Sequence, residues 1–116
     1  MINKIKLYIE EEMKSLSAER KNLRDKIMID ISYSQSEALA ALFELIIKYE
    51  KKKGITDQKI YDLITDMKNA METRAEETTS PEKALLWISK MEEMQYVLQL
   101  IERSKTVDED TDFTVL

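Results

Sequence analysis

Glycine and proline occur once each in this chain of 116 residues, and their positions limit where a helix can be interrupted. Gly54 follows three consecutive lysines, which is the arrangement expected just after the C-terminus of a helix. Pro81 follows Ser80, which is the arrangement expected at a helix N-terminus. Between these marks, apolar residues recur every three or four positions, the period of an amphipathic helix. The chain is therefore predicted to be all-α, an antiparallel bundle of about four helices forming one domain over residues 1–105.

The first predicted helical segment covers residues 2–31, and two places in it are ambiguous. Ser15 and Ser17 predict that this helix is kinked or split near them. Residues 27–33 alternate between apolar and polar side chains as a strand does, but no partner strand is evident elsewhere, and an isolated strand is not stable. We therefore interpret them as the buried end of a helix and its exit.

The second helix is predicted to start at Ser34 or Ser36, because Ser34 and Glu37 have the spacing of a capping box. Its apolar stripe is broad, which indicates a central place in the bundle or a place in a subunit interface. A homodimer through this helix would use Leu39, Leu42, Phe43 and Ile46.

The third helix has the clearest predicted start. Thr56 suits the N-cap, and Asp57 complements the positive end of the helix dipole. Ile55 and Ile60 have the spacing of a hydrophobic staple. This helix is expected to fade through residues 75–79.

In the fourth helix, Ser80 is the predicted cap and Pro81 the first helical residue. The helix is expected to end near residues 103–105, and an acidic C-terminal tail, residues 106–116, follows it.

Catalytic and metal-binding chemistry has few candidate residues, because the chain contains neither cysteine nor histidine. This composition excludes a thiolate nucleophile and the Glu-x-x-His pairs of helical di-iron proteins. A single glycine excludes a glycine-rich phosphate loop. The carboxylates of residues 10–12 and of Glu92 and Glu93 are interpreted as solvated, since neighbouring residues of a helix point in different directions. We expect no enzymatic activity, no metal and no cofactor.

The formal net charge of −5 argues against general nucleic-acid binding. Two basic clusters, residues 20–24 and residues 48–53, are interpreted as a solvated face and as compensation of a helix dipole. A helix-turn-helix over residues 46–64 is rejected, because acidic residues on its second helix would repel phosphate. No apolar run approaches the roughly 20 residues that span a bilayer, and the absence of cysteine fits a cytoplasmic protein.

An acidic row is predicted on the third helix. Asp62 and Asp66 lie one turn apart and continue toward Asn69, Thr73 and Glu76. One interpretation is a surface that meets a basic partner, and the other is an ordinary solvated face.

Further candidate partner-binding residues lie on the fourth helix and in the tail. Trp87 and Met94 would serve as contact residues or as core residues. The candidates in the tail are Asp108, Asp110, Asp112 and Phe113.

The function expected from these features is a non-enzymatic protein-binding module that contacts a host or target protein. Its small size and acidic surface fit an inhibitor or antagonist from a phage or other mobile element that occupies a basic surface of its target. One alternative is a structural, homo-oligomeric assembly or scaffold component. Another is an immunity protein against a bacteriocin or toxin, by analogy with other small helical bundles.

Overall fold

The computed structural model describes residues 2–52 and 56–104, the last of these by its backbone only. These residues form four helices, namely α1 (Ile2–Arg20), α2 (Lys26–Glu50), α3 (Asp57–Glu77) and α4 (Pro81–Ser104). No strand occurs within them, so the predicted all-α bundle is confirmed. None of the four helices combines the length and the apolar character needed to cross a membrane.

The first predicted segment is split, but at residues 21–25 and not at Ser15 or Ser17. Asp25 is the N-cap of α2, and its side chain accepts a hydrogen bond of 2.9 Å from the backbone N–H of Ile27. The predicted helix start at Ser34 or Ser36 is therefore wrong, since both lie inside α2. The alternating residues 27–33 are the first turns of this helix and not the exit from an earlier one.

Arg20, the last residue of α1, explains why α2 tolerates several serines in its interior. Its guanidinium donates to the backbone oxygen of Ser32 at 3.2 Å, to Ser32 Oγ at 3.1 Å and to Ser36 Oγ at 2.9 Å. The same group lies 4.2 Å from the ring centroid of Tyr33. At the other end of the contact between α1 and α2, Lys6 and Glu50 form an ion pair of 3.1 Å. The contacts of Arg20 join the end of α1 to the start of α2, and the ion pair joins the start of α1 to the end of α2. The two helices are therefore antiparallel.

The predicted turn between α3 and α4 is confirmed. The Thr56 side chain accepts a hydrogen bond from the N–H of Lys59 at 3.2 Å, which caps α3 as expected. Ser80 Oγ accepts from the N–H of Lys83 at 3.5 Å, and α4 begins at Pro81. Tyr61 near the start of α3 donates a hydrogen bond to Glu102 near the end of α4, so this pair is also antiparallel.

Three sequence predictions for this part of the chain lie outside the described residues. They are the helix stop at Gly54, the staple through Ile55 and the tail of residues 106–116.

All four helices contribute to one hydrophobic core. Its members that have no exposed surface are Ile5, Ile9, Leu39, Leu42, Ile46, Ile60, Ile64, Met94, Val97, Leu100 and Ile101. Three of the four residues predicted for a homodimer interface are therefore inside the molecule's own core. Of that set, only Phe43 is partly exposed, which corrects the interface drawn through α2.

Candidate protein-binding surfaces

The acidic row predicted on α3 lies on the surface of the protein. All of its members are exposed, namely Asp62, Asp66, Asn69, Thr73 and Glu76. Ile60 and Ile64 on the same helix are completely buried. A step of two residues is about 200° around a helix, so Asp62 and Asp66 point away from these core residues. We call this row the acidic ridge.

Side-chain contacts with α4 hold the helix that carries the acidic ridge. Tyr61 bonds to Glu102 near one end, and the Arg74 guanidinium lies 5.3 Å from the ring centroid of Trp87 near the other. Within the ridge, Asp62 accepts a hydrogen bond of 2.9 Å from the side-chain amide of Gln58. The ridge is thus fixed in position while its carboxylates face solvent.

Trp87 has a structural role that its sequence position did not reveal. It is half-buried, and Lys90 lies 4.4 Å from its ring centroid in addition to Arg74. Lys90 also forms an ion pair of 3.2 Å with Glu37 of α2. The tryptophan therefore links α3 and α4, and through Lys90 α2, so much of its surface is already engaged within the molecule.

Grooves lie between pairs of helices within the described part of the chain. The one between α2 and α4 has a volume of about 310 Å³ and is lined in part by Tyr33 and Trp87. The one between α3 and α4 has about 240 Å³ and a polar lining that includes Lys68 and Gln99. The one between α1 and α2 has about 320 Å³ and includes Phe43.

Met94 is not a surface residue. Its exposed fraction is 0%, so it belongs to the core and has no surface to offer a partner. The structure therefore separates the predicted contact residues. The acidic ridge lies on α3, Trp87 is partly covered at the start of α4, and the tail candidates Asp108, Asp110, Asp112 and Phe113 lie outside the described residues.

Glu93 corrects the expectation that the paired carboxylates are all solvated. It is 9% exposed, and among the described residues it forms no ion pair. Its neighbours from α1 are Tyr8 and Glu12, which interact electrostatically with its carboxyl group. The Tyr8 ring packs against Tyr96 of α4 with 5.7 Å between centroids. We call the two carboxyl groups the Glu12/Glu93 pair.

Burial and repulsion from nearby carboxylates change the protonation of this pair. Burial, and then the charges of Glu12 and Glu92, raise the pKa of Glu93 to about 7. Burial and the charge of Glu19 also raise the pKa of Glu12. The pKa of the Tyr8 hydroxyl is raised by burial first and then by Glu93 and Glu12. Glu93 therefore exchanges a proton near neutral pH, where ordinary carboxyl groups are fully ionised.

A perturbed carboxyl group in a groove can indicate a functional site. Neither member of the Glu12/Glu93 pair lines the grooves between α1 and α2, between α2 and α4 or between α3 and α4. Among the residues that the structure describes, no group of three or more acidic side chains is arranged to hold a metal ion.

The position of Glu93 on α4 agrees with its burial, but the sequence alone did not reveal it, because Ser89 one turn earlier is polar. Glu93 lies four residues after Ser89 and four before Val97, and both of those residues are buried. A carboxyl group in line with two core positions shares their face of the helix.

Comparison of this chain with protein-family models, with curated proteins and with solved structures finds no match.

Proposed function

We propose that this protein is a non-enzymatic protein-binding module that docks the acidic ridge on a basic surface of another protein. The observation that supports the proposal best is the state of the ridge carboxylates. Asp62, Asp66 and Glu76 are exposed, and none of them forms an ion pair within residues 2–52 and 56–104. Their charges are therefore free to act on an approaching molecule.

The geometry of the acidic ridge suits such a contact. From Asp62 to Glu76 the helix rises about 21 Å, at about 1.5 Å for each residue. Anchored side chains on the opposite face of α3 keep the charges in a fixed row, so little conformational freedom is lost on binding. Complementary charge mainly accelerates encounter and fixes orientation, and salt weakens it.

The more specific form of the proposal is an inhibitor or antagonist. A straight row of carboxylates resembles a nucleic-acid backbone in its charge, so a basic groove that binds nucleic acid is a suitable target. Proteins that block such grooves are useful to a phage or other mobile element, and they act in the cytoplasm of the host. This origin and this location are part of the proposal.

A charge-reversal experiment with a matched control tests the acidic ridge. The test variant carries Asp62→Lys and Asp66→Lys, and the control carries Glu11→Lys and Glu82→Lys at exposed positions of α1 and α4. Both variants change the net charge equally. Each is used to capture proteins from a lysate of a plausible host, and captured proteins are identified by mass spectrometry and then purified for affinity measurement at low and high salt.

The expected result is a partner that binds the wild type and the control with similar affinity. The ridge variant should bind it about tenfold or more weakly, which corresponds to about 1.4 kcal/mol. A partner whose affinity is the same for all three proteins, or that falls equally in both variants, contradicts the proposal.

The two alternative functions stay predictions. A homo-oligomeric scaffold would have to use residues other than Leu39, Leu42 and Ile46, and light scattering at two concentrations tests it. An immunity protein should protect a sensitive cell against one cognate toxin when it is expressed there.

A further inference from the structure

The groove between α1 and α2 combines an apolar interior with acidic walls. Its volume is about 320 Å³. The lining residues are Ile9, Glu10 and Met13 from α1 and Ala40, Phe43 and Glu44 from α2. Ile9 has no exposed surface and forms the floor, while Met13 and Phe43 are half-buried and pack against the core.

The side chains explain why a groove exists at this place. Ile9 and Met13 lie one turn apart on α1, and Ala40 and Phe43 lie one turn apart on α2. The methyl group of Ala40 is too small to fill the space between the two helices. Met13 and Phe43 beside it are apolar and only partly covered, and Met13 can adapt its shape to an occupant.

The two charged residues that line the groove, Glu10 and Glu44, are both acidic. Glu10 and Glu44 are exposed, lie on opposite walls and form no ion pair among the described residues. Lys6, one turn before Glu10, is already paired with Glu50 at 3.1 Å. No basic side chain belongs to the lining.

We infer that this groove binds an amphipathic helix of a partner protein, with an apolar stripe flanked by lysine or arginine. The stripe would enter between Met13 and Phe43, and the flanking cations would reach Glu10 and Glu44. Helices of this kind bind grooves in other proteins through apolar anchors spaced three and four residues apart. The inference goes beyond the proposed function of the acidic ridge, because it places a second contact surface on different helices.

Two labelled peptides test the inference by fluorescence anisotropy. One is a helical peptide with a leucine stripe flanked by lysines, and its twin has glutamate in place of every lysine. The full-length wild type is compared with three variants. Ala40→Leu fills the groove, Glu10→Lys with Glu44→Lys reverses its walls, and Glu82→Lys with Glu92→Lys makes the same change in net charge at exposed positions of α4.

The wild type should bind the lysine peptide about tenfold or more tightly than the glutamate twin. The groove-filling variant and the wall-reversed variant should each weaken this binding about tenfold, and the α4 variant should change it by less than about twofold. Failure of the acidic ridge to bind its own partner would leave these results unchanged, so the two proposals fail separately.

Several results would overturn the inference. No binding of the lysine peptide is one, and an equal loss in the wall-reversed and α4 variants is another, because it indicates general attraction between opposite charges. A dimer in light scattering that Ala40→Leu dissociates would assign the groove to a second copy of the chain. If Ala40→Leu has lost its helical circular dichroism, the wall-reversed variant decides the result.

Discussion

The acidic ridge of α3 and the Glu12/Glu93 pair contain the same kind of chemical group in opposite surroundings. The ridge carboxylates Asp62, Asp66 and Glu76 are exposed on one face of a single helix. Glu93 is 9% exposed in the contact between α1 and α4, with Glu12 acting on it from the neighbouring helix. Water screens the first group, whereas lost hydration and the charges of nearby carboxylates make ionisation of Glu93 unfavourable.

The difference shows how to separate a carboxylate that is available to a partner from one that alters the stability of the fold. Repulsion between exposed carboxylates one turn apart costs a few tenths of a kcal/mol. For Glu93, the difference between the ordinary pKa of 4.5 and about 7 corresponds to about 3 kcal/mol. The charges of the ridge therefore change the free energy of folding very little, whereas Glu93 opposes folding whenever it is ionised.

The largest expected effect is the stabilisation produced by Glu93→Gln. At pH 8 the wild-type protein folds with a buried charge, and the amide removes that charge while keeping the shape of the side chain. We expect the free energy of unfolding to rise by up to about 3 kcal/mol. Urea unfolding followed by circular dichroism measures it.

Glu11→Gln is the control for this substitution, because Glu11 is exposed and lies on the same helix as Glu12. Its free energy of unfolding should stay within about 0.5 kcal/mol of the wild type. A Glu93→Gln protein no more stable at pH 8 than this control would show that Glu93 carries no buried charge.

The second effect is a dependence of stability on pH that runs opposite to acid denaturation. Between pH 4.5 and about 7 the unfolded chain has released the Glu93 proton and the folded chain still holds it. Stability therefore falls as pH rises through this window, by up to about 1.4 kcal/mol for each pH unit, and is level above it. The chain has no histidine, so few other side chains obscure the trend.

Melting temperatures measured from pH 4 to pH 9 check this dependence, with Glu93→Gln as the reference. The wild type should lose stability across the window, and the curve of the variant should be flatter there. Parallel curves for the two proteins would contradict the assignment of the effect to Glu93.

The helix ends that depend on neighbouring residues alone could be predicted from the sequence. Thr56 and Ser80 cap their helices through bonds to residues three positions on, so the local pattern contains the whole signal. The start of α2 could not be predicted in this way. Ser34 and Glu37 imitate a capping box, but Arg20, which lies outside α2, satisfies Ser32 and Ser36 inside a continuous helix.

The same contrast between local patterns and contacts of distant residues explains which candidate sites could be predicted from the sequence. Exposure of the acidic ridge follows from the period of one helix, and sequence reasoning placed it correctly. The burial of Glu93 depends on α1 packing against α4, and the burial of Met94 depends on which side of α4 meets the other helices. Those are contacts between distant parts of the chain, which the pattern of a single helix leaves open.

A smaller effect is expected from Glu12→Gln, which removes one of the charges acting on Glu93. The pKa of Glu93 should fall, although it should stay above its ordinary value, because burial and not Glu12 is the largest cause of the shift. Carbon-13 NMR titration of the side-chain carboxyl groups measures this directly. At pH 8 the variant should gain less stability than Glu93→Gln, and an unchanged Glu93 titration would place the two groups too far apart to interact.

The smallest effect is expected on the acidic ridge, from Asp66→Asn. Asp66 is exposed and has one like-charged neighbour on the ridge at helical spacing, Asp62. Removing its charge should raise the free energy of unfolding by a few tenths of a kcal/mol at low salt, and the gain should shrink as salt screens the repulsion. Urea unfolding at two salt concentrations measures it. A loss of more than about 1 kcal/mol would exceed what an exposed surface position normally contributes, and would mean that the ridge supports the fold and is not free for a partner.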